Sequence, residues 1–333
     1  MNSGNLFHTE DLSKHKFLIT GGSGFIGSNL VKYLIENGAG KVRVLDNLLT
    51  SSYDNIRPFE KNSAFEFIEG DIRDQAVCAK ACEGITHVSH QAALGSVPRS
   101  VKDPVATHSI NATGFLNVIL AARDAGVKRF VYASSSSVYG DHPVLPKKEE
   151  QTGNPLSPYA VSKKTNELYA KVFAETYKME IIGLRYFNVF GPNQSPNGPY
   201  AAVIPLFMQS VIDGTSPFID GDGLQTRDFT FVENAVQANI RAMLTNNSSA
   251  LNRVYNVAVG EQLSVLELFN LIAGLTNSTV KPTHRETRAG DIRNSLADIS
   301  LAKEYLGYAP TIKAADGLKR TFEWFRTAQV KSN

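Results

Sequence analysis

The sequence predicts an α/β fold: a doubly wound parallel sheet, with a smaller α/β lobe contributed by the second half of the chain. Three observations predict it. Short apolar runs alternate with helical patterns as far as Asn188. A glycine-rich turn joins the first apolar run to the first helix. After Asn188 the texture changes to shorter, less regular elements broken by Pro, Asn and Gly. Alternation of strand and helix means parallel strands with helices on both faces.

Phe17-Leu18-Ile19-Thr20 is the first strand. Phe25 to Asn37 is the first helix, with apolar residues at Phe25, Ile26, Leu30, Val31, Leu34 and Ile35 and with Gly38 as a natural C-terminal cap. Val42 to Leu45 is the second strand. Phe65 to Ile68, Thr86 to His90, Phe130 to Ala133 and Ile181 to Leu184 continue the series. Long helical stretches run from Pro104 to Ala125 and from Ser157 to Tyr177. Gly191 to Pro199 is a loop, and turns fall at Asp213-Gly214 and Gly221-Asp222-Gly223. Val254 to Val259 has strand character and can return to the main sheet. The division expected is 1–188 for the larger domain, with 230–262 returning to it, and 189–229 plus 263–333 for the smaller lobe.

The 333 residues are 42% hydrophobic and 20% charged, enough apolar material for a sizeable core. Formal net charge is +2, with no basic run that would track a nucleic acid or a membrane surface. Met1 to Lys16 is polar and lacks the apolar core of a secretory signal. No uninterrupted apolar run approaches the roughly 20 residues of a membrane span. The two cysteines, Cys78 and Cys82, lie one helical turn apart, with His87 and His90 nearby. Two buried thiols explain them more simply than a metal site does, and no metal is expected. A reducing, cytoplasmic setting follows.

The turn Thr20-Gly21-Gly22-Ser23-Gly24-Phe25-Ile26-Gly27 follows a strand and opens a helix, the context of a dinucleotide cradle. Gly21 permits the tight turn, Gly24 the close approach of a pyrophosphate, and Gly27 close helix–strand packing. The helix start adds free N–H groups for phosphate. Asp46 ends the second strand, where a carboxylate accepts from both ribose hydroxyls and repels a 2′-phosphate. NAD is therefore expected over NADP, on a Rossmann-type sheet. Arg43, inside the strand, is not read as a phosphate clamp. Asp71-Ile72 follows the third strand, where an adenine edge would lie, and Asp71 can equally cap the following helix. Further on, Tyr159 and Lys163 stand four residues apart, on one helix face. A free phenol with a pKa of about 10 is a poor base, but a neighbouring ammonium favours its phenolate.

These residues resemble the extended short-chain dehydrogenase/reductase family. The matching pieces are Thr20 to Gly27, Asp46, His90-Gln91-Ala92-Ala93, Ser135 before Val138-Tyr139-Gly140, Tyr159/Lys163 and Arg185-Tyr186-Phe187-Asn188. The chain is most similar there to nucleotide-sugar 4-epimerases, in particular those acting on UDP-N-acetylglucosamine. The resemblance implies Ser135, Tyr159 and Lys163 as catalytic residues. It implies that Phe25, Ile26, Asn47, Ile72, Gln91, Ala92, Ala93, Asn111 and Tyr186 join the glycines, Asp46 and Asp71 around NAD. Asn188, Arg227, Arg288 and Asp291 are implied for the diphosphate or ribose, Ala202 and Val203 for uracil, with Phe218 a weaker candidate. Ser136 and Ser137 would touch an N-acetyl group, and Gln194 and Asn197 would hydrogen-bond it. Gly95 and Ser96 stand where strict UDP-glucose epimerases carry lysine, and Ser295 where they carry a bulky tyrosine. A homodimer is implied, through the two long helices.

The mechanism this implies is removal of the O4 proton by Tyr159, formation of a 4-keto sugar, its turnover in the pocket, and return of hydride to the opposite face. Related dehydratases and decarboxylases carry an extra acid where this chain has Ser136 and Ser137, which argues against both reactions. Three alternatives remain at this point: a 4-epimerase of UDP-N-acetylglucosaminuronic acid, with Arg99 or a backbone amide pocket to accommodate its carboxylate; a net 4-keto reductase or dehydrogenase; and a non-catalytic nucleotide-sensing regulator on the same fold.

Overall fold

The computed structural model describes residues 6–196, 200–276, 278–287 and 293–330, with backbone alone over 328–330. Seven parallel strands form the central sheet: β1 (Lys16–Thr20), β2 (Lys41–Asp46), β3 (Phe65–Glu69), β4 (His87–His90), β5 (Arg129–Ser135), β6 (Glu180–Tyr186) and β7 (Arg253–Val257). Their spatial order is β3-β2-β1-β4-β5-β6-β7. The order reverses between β1 and β4, the place where open α/β sheets bind ligands. The apolar runs become strands because both faces are covered: Phe17, Leu18 and Ile19 of β1 are all fully buried. As expected, the late strand returns to the sheet, with Arg253 to Val257 in register beside Ile182 to Tyr186.

Helix α1 (Phe25–Glu36) lays Leu30, Val31 and Leu34 on one face of the sheet. On the other face lie α2 (Gln75–Cys82), which buries both cysteines, α4 (Pro104–Asp124) and α5 (Pro158–Tyr177). A short α3 (Val97–Lys102) precedes α4. Helix α4 is a single rod with a π turn over Ser109–Thr113, a local widening that often marks a site. It has the length of a membrane span and a mean hydropathy of 1.2, closer to one than the sequence suggested, and 61% of that window is buried in the fold.

The helices of the second half were not foreseen. Helix α6 (Val203–Asp213), α8 (Val265–Gly274) and α10 (Ala314–Val330) gather around Phe190, Phe231 and Phe269 as a separate apolar cluster. Helix α7 (Val232–Leu244) instead packs beside α1 against the sheet. Helix α9 (Ser300–Leu306) also joins the sheet's core through Ala302 and Leu306. One local expectation fails: α2 is capped by Asp74, which accepts from the Ala76 amide at 2.8 Å, and not by Asp71. Asp71 instead turns back on Arg73, accepting its amide at 2.8 Å.

Candidate active site

A cavity of about 560 Å³ opens at the C-terminal ends of β1, β2, β4 and β5. Such a volume suits a cofactor or small-molecule site. The glycine turn forms its floor. Gly21 has φ +68°, and a Cβ there would come 2.7 Å from the Ala92 amide nitrogen. A Cβ on Gly27 would come 2.2 Å from the Gly21 carbonyl oxygen, so helix and turn close only around glycine. Gly24 caps α1 without any side-chain bond, leaving the helix start open for an anion. At the end of β2, Asp46 turns one carboxylate oxygen to the Ser23 amide at 3.1 Å and the other to the Leu48 amide and the Ser51 hydroxyl, at 2.9 and 3.1 Å. These features fit a dinucleotide: a shaped turn, a bare helix start and an acid at the second strand's end.

The wall of the cavity includes Phe25, Ile26, Asn47, Asp71, Ile72, Gln91, Ala92, Ala93 and Tyr186, each expected there. Arg73 and Asn47 donate to Asp71, and the Arg73 contact leads in drawing its pKa down to about 2. Gln91 is fixed three times, accepting from the Tyr186 hydroxyl at 3.0 Å and donating to Asn239 at 3.0 Å and to the Ser89 hydroxyl at 2.8 Å. Asn111 departs from expectation. It lies beneath the wall, accepting from the Leu94 amide at 2.7 Å and donating to the Leu94 carbonyl and the Ser162 hydroxyl. The π turn of α4 delivers it there, so it braces the loop and does not line the cavity. Arg43 donates to the carbonyls of Ala81 and Glu83, at 2.8 and 2.9 Å, and pairs with the Glu66 carboxylate at 3.0 Å.

Opposite the glycine turn stand Ser135, Tyr159 and Lys163. β5 ends at Ser135, and α5 begins at Pro158 with Ser157 as its cap. The Lys163 Nζ donates to the Ala133 carbonyl at 2.9 Å and lies 5.9 Å from the centre of the Tyr159 ring. Burial lowers the Lys163 pKa to about 8. Burial also raises the Tyr159 pKa, and the Ser135 hydroxyl pulls it back. The Lys163 ammonium is itself buried and engaged with a carbonyl.

Gly95, Ser96, Ser136 and Asn188, expected around a sugar, line the same cavity. A Cβ on Gly95 would meet nothing within 4 Å, so the space is open. Ser96 has φ +100° and caps α3 through its hydroxyl, strain of the kind found at binding loops. Ser137 falls outside the wall, giving its amide to the Ser135 Oγ at 3.1 Å. Gln194 also stands back, donating to the Val189 carbonyl at 3.3 Å. Ala202 and Val203 begin α6. Arg227 and Ser295 meet at Thr226: the Arg227 Nη1 and the Ser295 amide donate to its carbonyl at 2.9 and 3.1 Å. Asp228 does not pair with Arg227. It is buried and accepts from the amides of Val259 and Gly260, both at 3.0 Å. Phe218 is exposed under the Arg285 guanidinium, and Arg99 stacks on Tyr200 at 5.0 Å. Asn197, Arg288 and Asp291 lie outside the described residues.

Leu49, Thr50, Ser51 and Gly70 also line the cavity and were missed. The signal for them was positional: segments that follow the acid-bearing ends of β2 and β3 border the same crevice. Among the described residues no cluster of His, Cys, Asp and Glu can hold a metal, and burial raises both thiols to about 12.

The model of the NAD dependent epimerase/dehydratase family matches residues 17–258. A UDP-glucose 4-epimerase of Mycolicibacterium smegmatis is 37% identical over 93% of this chain and 98% of its own length. A UDP-N-acetylglucosamine 4-epimerase from Methanobrevibacter ruminantium, solved with UDP-N-acetylmuramic acid, superposes with a TM-score of 0.89 at 38% identity, over 94% of this chain and 99% of that one. A UDP-glucose 4-epimerase from Thermotoga maritima, solved with UDP-glucose, gives 0.88 at 36% identity over the same shares, 94% and 99%.

Proposed function

The chain belongs to the NAD-dependent epimerase/dehydratase family, and from that premise we propose that it interconverts UDP-N-acetylglucosamine and UDP-N-acetylgalactosamine by inversion at C4. One observation carries the reaction type: Ser135, Tyr159 and Lys163 line the same cavity as the glycine turn. The similar enzymes named above, each a UDP-sugar 4-epimerase, support it.

NAD is the cofactor, and when bound it supplies a reversible hydride acceptor and a positive ring charge. The glycine turn, α1 and Asp46 hold it. The Tyr159 oxygen, as the phenolate, takes the proton of the sugar O4 and later returns it, while the C4 hydrogen leaves as hydride and comes back, passing through a 4-keto sugar. The Ser135 hydroxyl orients O4 and steadies the phenol. The Lys163 ammonium has three donors and spends one on Ala133, which leaves two for groups in the cavity. Asn188, Arg227, Arg288 and Asp291 grip the diphosphate and ribose, and Ala202 and Val203 border uracil. Ser136 lines the cavity on the side of the N-acetyl group, the small Ser137 and Ser295 leave room for it, Gln194 and Asn197 are its hydrogen-bonding candidates, and the open space at Gly95 favours the larger sugar. Residues 1–188 with 230–262 form the cofactor domain, and 189–229 with 263–333 the sugar lobe. A second copy covers the exposed Val101, Val105, Val161, Leu168 and Val172 of α3, α4 and α5, forming a homodimer.

The test is purified protein with no added cofactor, offered UDP-GlcNAc, UDP-glucose and UDP-GlcNAcA separately, with C4 epimers resolved by NMR. Conversion of UDP-GlcNAc is expected to be fastest. Epimerisation of the uronate alone moves the substrate and keeps the chemistry. NADH formation that requires added NAD⁺, with no epimer, overturns the proposal in favour of a dehydrogenase.

A further inference from the structure

Below the catalytic wall lies a buried charge pair that the reaction does not use. Helix α5 carries Tyr159, Lys163 and Glu167 at successive four-residue steps, so all three share one face. An acid four residues beyond a lysine is a natural ion-pair partner. Yet Glu167 is turned to the sheet. Its Oε1 accepts from the Ser134 Oγ at 2.7 Å and the Arg185 Nε at 2.8 Å, and its Oε2 accepts from the Arg185 Nη2 at 2.9 Å. Arg185 and Glu167 are only 3% and 8% exposed, so this is a forked ion pair out of water. The β5–β6 register makes it possible by setting Ser134 beside Arg185, and Ser135 beside Tyr186. Arg185 is anchored in turn: its Nη1 donates to the Glu149 carbonyl at 2.9 Å, and its plane covers the Tyr139 ring at 4.8 Å.

The Glu149 carboxylate also lies within electrostatic reach of Arg185, its Oε1 accepting from the Asn256 amide at 2.8 Å. Tyr132 of β5 faces Glu167, its phenol held neutral by burial. Lys164 reaches Glu167 Oε2 at 3.8 Å from the outer side. Lys163 faces Tyr159 on its own helix and His90 of β4, an imidazole that burial lowers to about 3 and keeps uncharged. Among the described residues no carboxylate pairs with Lys163.

We propose that Arg185 is a positioning residue that captures the Glu167 carboxylate, so that the Lys163 ammonium keeps a carbonyl partner only and stays available to the phenol. The same clamp ties α5 to β5 and β6 and fixes Ser135 opposite Tyr159. The proposal rests on Tyr159 and Lys163 being the proton-transfer pair, and its test separates the two ideas.

The measurement is the titration of Lys163 by NMR on protein labelled at lysine Cε, with the signal assigned by loss in Lys163→Met. It reads the ammonium whether or not any sugar turns over. In Arg185→Met the freed carboxylate turns to Lys163, and its midpoint rises by about 1–3 pH units. In Glu167→Gln the unpaired guanidinium drives it down. The double variant Glu167→Gln/Arg185→Met titrates as the parent does, because both charges are gone. Its kcat returns toward that of the parent from a loss of about tenfold or more in Arg185→Met, with KM little changed throughout. Should a single variant fail to fold, Arg185→Lys keeps the charge, loses the fork, and gives a smaller rise. A Lys163 midpoint that stays put in every folded variant, while kcat falls, reduces the pair to a structural bolt and overturns the proposal. A parent that titrates as expected but epimerises nothing sinks the assigned function and leaves the electrostatic claim standing.

Discussion

The two halves of the molecule build their parts of the site in different ways. In the cofactor half, candidate residues sit at the ends of long parallel strands, and nearly all of them face one cavity. In the half proposed to hold the sugar, candidates sit on a two-residue strand, a helix start and loops, and several stand back from the wall: Gln194 on the Val189 carbonyl, and Arg227 and Ser295 at Thr226. A regular βαβ frame fixes where a side chain points once its place in the repeat is known. A lobe of short elements is fixed by backbone bonds and buried polar ties, as Asp228 shows by holding the amides of Val259 and Gly260. The first arrangement suits chemistry that must be geometrically exact, and the second suits a handle that can adapt.

Substitutions in the two halves should therefore differ in kind. The largest effect is expected from Tyr159→Phe, which removes the proton acceptor and lowers kcat by about 10²–10⁴-fold, with NAD still bound and KM little changed. Steady-state kinetics and cofactor content after purification check it. If KM alone moved, Tyr159 would belong with the binding residues and the contrast between the halves would fail.

Gly27→Ala comes next. Its Cβ would collide with the Gly21 carbonyl oxygen at 2.2 Å, so the turn must open. A loss of about 1–3 kcal/mol, by overpacking, is expected as a lower melting temperature together with loss of bound NAD. An Ala variant with unchanged melting and full NAD would show that the cradle is not built on this contact.

The pH dependence is worked out from Lys163. Burial lowers its folded pKa to about 8 from the ordinary 10.5. The buried charge thus costs stability below about pH 8, and the cost is relieved as pH rises through 8 toward 10.5. Activity runs the other way: if the ammonium is required, kcat falls above about pH 8, approaching tenfold per unit. A kcat profile flat from pH 7 to 10 would contradict the role given to Lys163.

The smallest effect is expected from Ser295→Tyr in the sugar lobe. Filling that space should lower kcat/KM for UDP-GlcNAc against UDP-glucose by about tenfold, the scale on which pocket volume discriminates. Competition between the two sugars in one tube measures it. A ratio left unchanged would place Ser295 away from the N-acetyl group.

The strands, the glycine turn, Asp46 and the Tyr159/Lys163 pair were legible because each is set by local spacing: period two, period 3.6, or a turn that only glycine makes. Val254 to Val259 was legible for the same reason, although it crosses more than sixty residues to pair with β6. What escaped were consequences of tertiary placement. The π turn of α4 carries Asn111 under the Leu94 loop. Asp71 was free to cap α2 by sequence, yet Asp74 holds the better position and Arg73 claims Asp71. The helices of the smaller lobe bury an apolar cluster of their own, but their short, Gly- and Pro-bordered patterns did not announce it.

The most direct measurement is the fate of the C4 hydrogen. UDP-GlcNAc deuterated at C4 is given to the purified protein with no added NAD, and the product is examined by NMR and mass spectrometry. Deuterium retained at C4 of UDP-GalNAc, with no NADH released, is the result predicted for hydride that leaves and returns within one closed site. Deuterium lost to solvent, or carried off on free NADH, would contradict it.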